Sequence, residues 1–448
     1  GEEGYYIDKK IGTASWTTKY RTLSANTTSF LDDVNLFEEV YYRIKAFVST
    51  TTTNSIESSI VPTFLAPSNL TLQSLDQNKI KMTWRDNSEG EVGFHIDKKI
   101  GGTDWIINYD TVDSNTTSYI DNITEPCGTF YYRVNAYSGT FTSANSNEAQ
   151  INILLDLVGS VNTPGIAQDI TTSGWYAYLP DYYNGLHIIY FGNPEHPEIL
   201  HTMNDFEDRV LSADVEDNFL YVTSHSGSTT PGVITSVDIT NPLNPQISGS
   251  SLTSGIPYDI EVVGDFAYIA DGDNGLTIFF ISNSTPDFIT NVSTGGHAQS
   301  IYVDGINAYI AQGLDGIAIF DISDPYNPTL SSTYVTTGAK DVFVQNNYAF
   351  IANSEDGLLI LDVSNTASPT FAAEVVTDGF VTGVHTDNSY AYISDSEIGL
   401  ITIDISSIIN PFILGYYEMF TEPTSLTHFC SYSLVIDNEG MKIVQVSP

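Results

Sequence analysis

Basic residues all but run out after position 153: Arg209, Lys340 and Lys442 are the only Lys or Arg in the remainder of the chain, against 36 Asp and Glu. Residues 1–153 hold 12 basic and 19 acidic side chains, so most of the formal charge of −40 belongs to the second part. Such a surface repels phosphate backbones and anionic lipid, which argues against nucleic acid as a partner and against direct membrane insertion. Long apolar runs are missing too. No stretch reaches the roughly 18 uninterrupted apolar residues of a membrane-spanning helix, and no charged-then-apolar leader opens the sequence. Cysteine is scarce, with only Cys127 and Cys430. These two fall in what are expected to be different domains, so no internal bridge is expected, and no Cys/His cluster points to zinc. The chain has no Gly-x-Ser-x-Gly elbow, His-Glu-x-x-His helix, dinucleotide glycine pattern or phosphate loop, so a non-enzymatic role is expected.

What is present makes a folded protein. Hydrophobic residues make up 41% of the chain, with 28 Tyr and 22 Phe, which is ample to offset the entropy of ordering it. The acidic part cannot neutralise itself by internal ion pairs, so salt, calcium or a basic partner must do so. That balance predicts saline or calcium-containing surroundings outside the cell. Six Asn-x-Ser/Thr sequons, at Asn26, Asn69, Asn115, Asn122, Asn283 and Asn291, are about as many as chance gives and carry no information.

Two internal repeats organise the chain. Ile7-Asp8-Lys9-Lys10-Ile11-Gly12 returns as Ile96-Asp97-Lys98-Lys99-Ile100-Gly101, and Tyr41-Tyr42-Arg43 as Tyr131-Tyr132-Arg133, at an offset of 89 to 90 residues. Short alternating runs punctuated by Gly, Asn, Asp and Pro over about 90 residues predict a two-sheet sandwich. The second copy resembles a fibronectin type III domain at Ala66-Pro67-Ser68-Asn69-Leu70, Trp84, Gly93-Phe94 and Tyr132-Arg133-Val134. The first copy begins at the equivalent of the third strand, so residues 1–63 read as a partial domain with its first two strands missing. The preferred explanation is a longer native chain; the other is strand donation by a neighbour, which would build a head-to-tail filament.

Beyond residue 153 the period shortens. Ala267-Tyr268-Ile269-Ala270 leading to Gly275, Ala308-Tyr309-Ile310-Ala311 to Gly316, Ala349-Phe350-Ile351-Ala352 to Gly357 and Ala391-Tyr392-Ile393-Ser394 to Gly399 are the clearest copies. Weaker ones centre on Gly185, Gly232 and Gly440, with spacings of 41 to 47 residues. Four short strands per unit of about 40 residues predict propeller blades, seven in all. The last unit stops after its third strand, and residues 154–161 match the missing fourth, so the two ends are expected to share a blade. These units resemble LVIVD repeats, a family of bacterial and archaeal surface propellers in which Ala-Tyr-Val-Ala-Asp, Gly-Leu and Asp-Val-Ser-Asn-Pro recur. The expected fold is therefore all-β: fibronectin type III-like sandwich modules over 1–63 and 64–153, then a seven-bladed β-propeller over 154–448. The resemblance implies a prokaryotic cell-surface location and is nearly silent on activity.

Three sets of residues are candidates for chemistry. Asp271, Asp273 and Asn274 have the oxygen-rich spacing of a calcium loop, but Asp or Asn before Gly is also ordinary hairpin chemistry, which is the preferred reading. Asp169, Asp259, Ser300 and Asp341, with Gly383 and a shifted Ser212, stand nine residues before each unit's aromatic. They should ring the mouth of a central channel, where they could hold a cation or a sugar hydroxyl; the preferred role is to tie adjacent blades by accepting backbone N–H bonds. Tyr182, Tyr183, Tyr326 and Phe412 are candidates for stacking on sugars. The leading functional expectation is a structural or adhesive subunit contacting copies of itself or neighbouring surface proteins, and the second is a lectin-like receptor for glycans.

Overall fold

The computed structural model describes every residue except 33–38, 50, 61–63, 77–78, 102, 124–127, 154, 207–208, 228–230, 282–284, 388, 420 and 447–448. Cys127, Asn283 and Leu154 therefore lie outside the described residues. The chain divides into two compact units, residues 1–124 with 129–152, and 125–128 with 153–448. Among the described residues no helix is long and apolar enough to cross a membrane.

In the first unit, the second copy is a pair of facing sheets. Strands Ser68–Asp76, Lys79–Arg85 and Ser118–Asn122 form the smaller one, and Gly93–Ile100, Ile106–Asp113 and Gly128–Ser138 belong to the larger. Side chains alternate across a strand, so Ile80, Met82 and Trp84 all point to one side, and Phe94, Ile96, Tyr132 and Val134 of the other sheet are buried as they are. All seven are buried, and the Trp84 and Phe94 rings touch edge to face at 5.8 Å. Each large side chain buried this way contributes about 1.5 to 3 kcal/mol.

The first copy forms a single sheet. Gly4–Ile11, Thr17–Ser24, Val40–Val48, Thr51–Asn54 and Ser58–Ile60 pair antiparallel, and among the described residues no second sheet covers them. A groove of about 660 Å³ runs where the counterparts of Ile80 to Trp84 would lie, lined by Tyr5, Ile7, Leu23, Phe30, Tyr42 and Ile44. Ile44 is 45% exposed, whereas its repeat partner Val134 is fully buried.

The second unit contains, among the described residues, seven four-stranded antiparallel sheets. One of them shows the plan: inner strand Asp259–Val263, then Phe266–Ala270, Leu276–Phe280 and outer strand Asp287–Val292. The second strand ends in a tight turn at Gly275, with φ +83°, where a Cβ would lie 2.5 Å from the Val292 carbonyl. Only glycine fits both demands. Gly232, aligned with it by sequence, has no positive φ; the second sheet departs from the pattern there, and a Cβ would meet Pro257 instead. The last sheet joins Pro423–Phe429, Tyr432–Asp437 and Gly440–Gln445 to Asp156–Asn162, which serves as its outer strand.

Neighbouring sheets bury apolar faces against each other. Tyr268, Leu276 and Ile278 pack on Ile301, Ala308, Ile310 and Phe320 of the following sheet. The last and first sheets do the same, with Leu434, Ile436, Met441 and Ile443 against Ala177, Leu179, Ile189 and Phe191. Among the described residues, the first and last sheets thus cover each other's apolar faces.

Candidate functional site

The inner strands present every second residue to a channel of about 320 Å³. The first layer is the expected one: Asp169, Ser212, Asp259, Ser300, Asp341, Gly383 and Ser425 occupy equivalent places, and Asp259, Ser300 and Asp341 each open an inner strand. Two residues further along each strand comes a second layer that the sequence reading missed: Thr171, Asp214, Glu261, Tyr302, Phe343, His385 and Thr427. Carboxylates crowd one arc of it and aromatic rings the other. Tyr302 and Phe343 are 4.6 Å apart, and Phe343 and His385 4.3 Å.

The first-layer carboxylates tie sheet to sheet. Asp259 accepts the Ile301 N–H of the next sheet at 2.8 Å and contacts Ser212 of the preceding one at 2.9 Å. Asp341 accepts the Val384 N–H at 2.9 Å and the Ser300 hydroxyl at 2.7 Å. Asp169 spans the junction of last and first sheets: Ser425 donates to it at 3.3 Å, while Ser212 lies 2.7 Å away on its other side. Asp214, in the second layer, accepts the Val262 N–H at 2.7 Å. These hydrogen bonds join each sheet to its neighbours.

Crowding shifts their titration. Burial, the largest cause in each case, pushes Asp341 up to about 6, Asp214 to about 7 and Asp259 to about 8. Asp169 is raised and Glu261 is raised well above the usual carboxyl range, again by burial first. Burial and the neighbouring His428 press His385 down to about 3. The one-residue offset between His385 and His428 puts them on opposite faces of their sheets. Adjacent sheets turn opposite faces together, and the two rings lie 6.0 Å apart.

The acidic turn resolves as a hairpin device. Asp271 is fully buried, and its Oδ2 accepts the N–H groups of Ser254 and Gly255, both at 2.8 Å, and the Thr277 hydroxyl at 2.7 Å. Asn274 donates to the Ser254 carbonyl, and the exposed Asp273 pairs with His297 at 2.7 Å. The three side chains point to different partners. Among the described residues no group of three or more His, Cys, Asp or Glu is placed to hold a metal ion. Asp271→Ala should cost about 2 kcal/mol, because it leaves the buried Thr277 hydroxyl and two half-buried N–H groups without this acceptor. Thermal melts in calcium and in chelator should show equal losses; a loss seen only with calcium would revive the calcium loop.

The four aromatic candidates do not converge. Tyr182 and Tyr183 touch edge to face at 4.6 Å beside Arg209, whose guanidinium lies 5.5 Å from the Tyr182 ring. Tyr326 sits on the connection at the other end of its sheet, against Phe266. Phe412 opens an outer strand.

The LVIVD repeat pattern matches residues 164–205, 254–294, 295–336, 338–377 and 378–418. No curated protein matches the sequence significantly. Among solved structures, the chain is similar to the β-propeller domain of Myceliophteria thermophila Cps50 (Swd1), with 8% identity and a TM-score of 0.53 over 66% of this chain and 100% of that one. It is also similar to Saccharomyces cerevisiae Sqt1, at 8% identity and TM-score 0.51 over 66% and 100%, and to the WD40 β-propeller domain of Doa1, at 8% and 0.51 over 65% and 96%. At such identity the likeness is one of fold. Repeats, sheets and neighbours agree on the fold: five segments match the LVIVD repeat pattern, and the second unit is a β-propeller.

Proposed function

We propose that the protein is a non-enzymatic, extracellular prokaryotic surface protein whose propeller makes protein–protein contacts, with copies of itself or with neighbouring surface proteins. In this reading the seven sheets are the seven blades of one closed ring, and the first unit is a fibronectin type III-like spacer. The observation that carries it lies on the propeller end formed by the turns after each second strand. There Tyr183, Leu252, Leu314, Val335, Val376 and Phe380 are 49% to 78% exposed, on connections that the blades' own packing leaves uncovered. Leu314 and Phe380 line one depression there, and exposed apolar side chains grouped on a rigid face are what interaction surfaces present. The channel supports the same view, since its first-layer carboxylates are committed to inter-sheet bonds.

Mass photometry in calcium tests the reading. Species heavier than one chain are expected, and Leu314→Asp with Phe380→Asp should shift them to single chains while leaving the melting temperature within a few degrees. A chain that stays single at all concentrations, with and without calcium, would count against self-association. The Tyr182, Tyr183 and Arg209 cluster favours one alternative, a lectin-like glycan receptor. Binding on a glycan array abolished by Tyr183→Ala would establish it.

A further inference from the structure

The first unit holds a charged constellation that neither the fold nor the proposed function uses. Lys98 on the larger sheet and Asp121 on the smaller one meet between the sheets, Nζ to Oδ2 at 3.1 Å, with side chains only 3% and 2% exposed. Tyr109 donates its hydroxyl to Asp121 Oδ1 at 2.7 Å, and Tyr132 donates to Oδ2 at 2.5 Å. The ammonium group sits over the Tyr109 and Phe130 rings, at 4.7 and 5.4 Å from their centroids. We propose that Lys98 and Asp121 form an intramolecular amide bond, a covalent staple between the two sheets of residues 64–153.

The chemistry balances without any co-reactant. In a pocket walled by aromatic rings, two separate charges are costly, and transfer of one proton from Nζ to Oδ2 leaves a neutral amine beside a carboxylic acid. Lysine, unlike arginine, gives up its proton readily when buried. The amine lone pair then attacks Cγ, forming the N–C bond and placing negative charge on Oδ1, where the Tyr109 hydroxyl already points. Tyr132, on Oδ2, is placed to relay a proton from the amine to that oxygen. The Cγ–Oδ2 bond breaks, and Oδ2 departs with two protons as water. Nothing is oxidised or reduced, and an ammonium and a carboxylate become one neutral amide plus one water. The buried charges disappear, and the dry pocket disfavours the reverse hydrolysis.

The internal repeat supplies a contrast within the same molecule. Lys9, Tyr20, Asp32 and Tyr42 reproduce the set, with Nζ to Oδ2 at 2.9 Å and tyrosine hydroxyls at 2.7 and 2.6 Å. Both charged side chains there are 11% exposed. Burial pushes the Asp32 carboxyl up, but hydrogen bonds from Tyr42, Lys9 and Tyr20 outweigh it and hold the group below its usual range. Water that reaches this more exposed pair solvates both charges and favours hydrolysis over condensation, so the second pair stays an ion pair. One water should be lost from the chain, not two.

Intact-mass measurement on the full chain under denaturing conditions decides the matter. The expected mass is one water, about 18 Da, below that of the sequence. Digestion should yield a branched peptide joining residues 98 and 121, resistant to mild alkali. Lys98→Arg and Asp121→Ala should each restore the full mass, and Tyr132→Phe should give a mixture that shifts to the lighter species over time. The wild-type mass needs no variant to fold, so the test stands even if a substitution unfolds the unit. The full sequence mass after prolonged incubation would overturn the proposal. So would a water loss mapped to an Asp-Gly succinimide, such as Asp271-Gly272, which alkali reverses.

Discussion

The melting temperature of the propeller should fall steadily as pH is raised from about 5 to about 8, and Asp259→Asn should remove much of that slope. A buried carboxyl whose folded-state pKa lies above its unfolded value of about 3.9 binds its proton more tightly in the fold. The stability it contributes is fully present below the unfolded value and is lost as pH rises through the folded one. Asp341 at about 6, Asp214 at about 7 and Asp259 at about 8 place that loss across neutral pH. Geometry requires the same proton independently. The Ser212 hydroxyl lies 2.7 Å from an Asp169 oxygen and 2.9 Å from an Asp259 oxygen, yet has one hydrogen to donate. One of the two carboxyls must therefore carry a proton and donate it to Ser212. The groups facing Asp259 are Asp169, Asp341, Glu261 and the hydroxyl of Ser212, with no basic side chain among its hydrogen-bond partners. A tenfold difference in proton affinity between folded and unfolded chain is worth about 1.4 kcal/mol, so losing the Asp259 proton should cost on the order of several kcal/mol between pH 5 and 8. In Asp259→Asn the amide supplies the donor to Ser212 permanently and its oxygen still accepts the Ile301 N–H, while the Ile260 N–H, which Oδ1 accepts at 2.8 Å, loses its partner. The variant should melt somewhat below the wild type near pH 5, by the cost of the lost Ile260 bond, and above it at pH 8. Parallel curves for the two proteins would show that the ring carries no functional proton at Asp259.

The repeating skeleton was legible because every sheet makes the same demands on its sequence. A buried aromatic, a turn glycine with φ near +80° and a Pro-rich connection return at nearly constant spacing, so Gly275, Gly316 and Gly357 announce themselves. The first channel layer followed by counting back from the aromatic. The second did not, since alternation along an inner strand fixes that Asp214 and Glu261 share a face with Ser212 and Asp259 but not that the face opens on a channel crowded enough to shift them. The Lys98 constellation was hidden for another reason. Its four members come from four strands in two sheets, and no local pattern joins them. A signal did exist: Lys9, Tyr20, Asp32 and Tyr42 recur as Lys98, Tyr109, Asp121 and Tyr132 at offsets of 89 to 90, and polar residues repeated with that regularity mark a shared interior contact.

Deleting residues 155–162 should cost the propeller several kcal/mol, far more than removing any surface hairpin. Strand Asp156–Asn162 pairs along the whole of Gly440–Gln445, from Asp156 opposite Gln445 to Asn162 opposite Gly440. Its half-buried Val158 and Val161 pack on the cluster of Met441, Ile443, Ala177 and Ile189 that joins the last sheet to the first. The strand also shares the irregular step of every other outer strand. Pairing skips one residue after Leu157, as it does after Ile199, Ile247, Phe288, Leu330, Phe371 and Ile413 in their sheets. Bulges recurring at one register show that this segment, far away in sequence, fills the same structural place as its counterparts. Its removal would strip an edge of hydrogen bonds and expose apolar side chains at the one junction that the chain does not bridge covalently. Chemical denaturation should then show a lower midpoint for the propeller. Amide exchange should show protection lost first in Gly440–Gln445 and Tyr432–Asp437, then in the first sheet at Tyr176–Pro180. An added peptide of residues 155–162 should restore part of the stability in proportion to its concentration. An unchanged midpoint would mean that the ring is held by its inner strands and the Asp169 bonds alone.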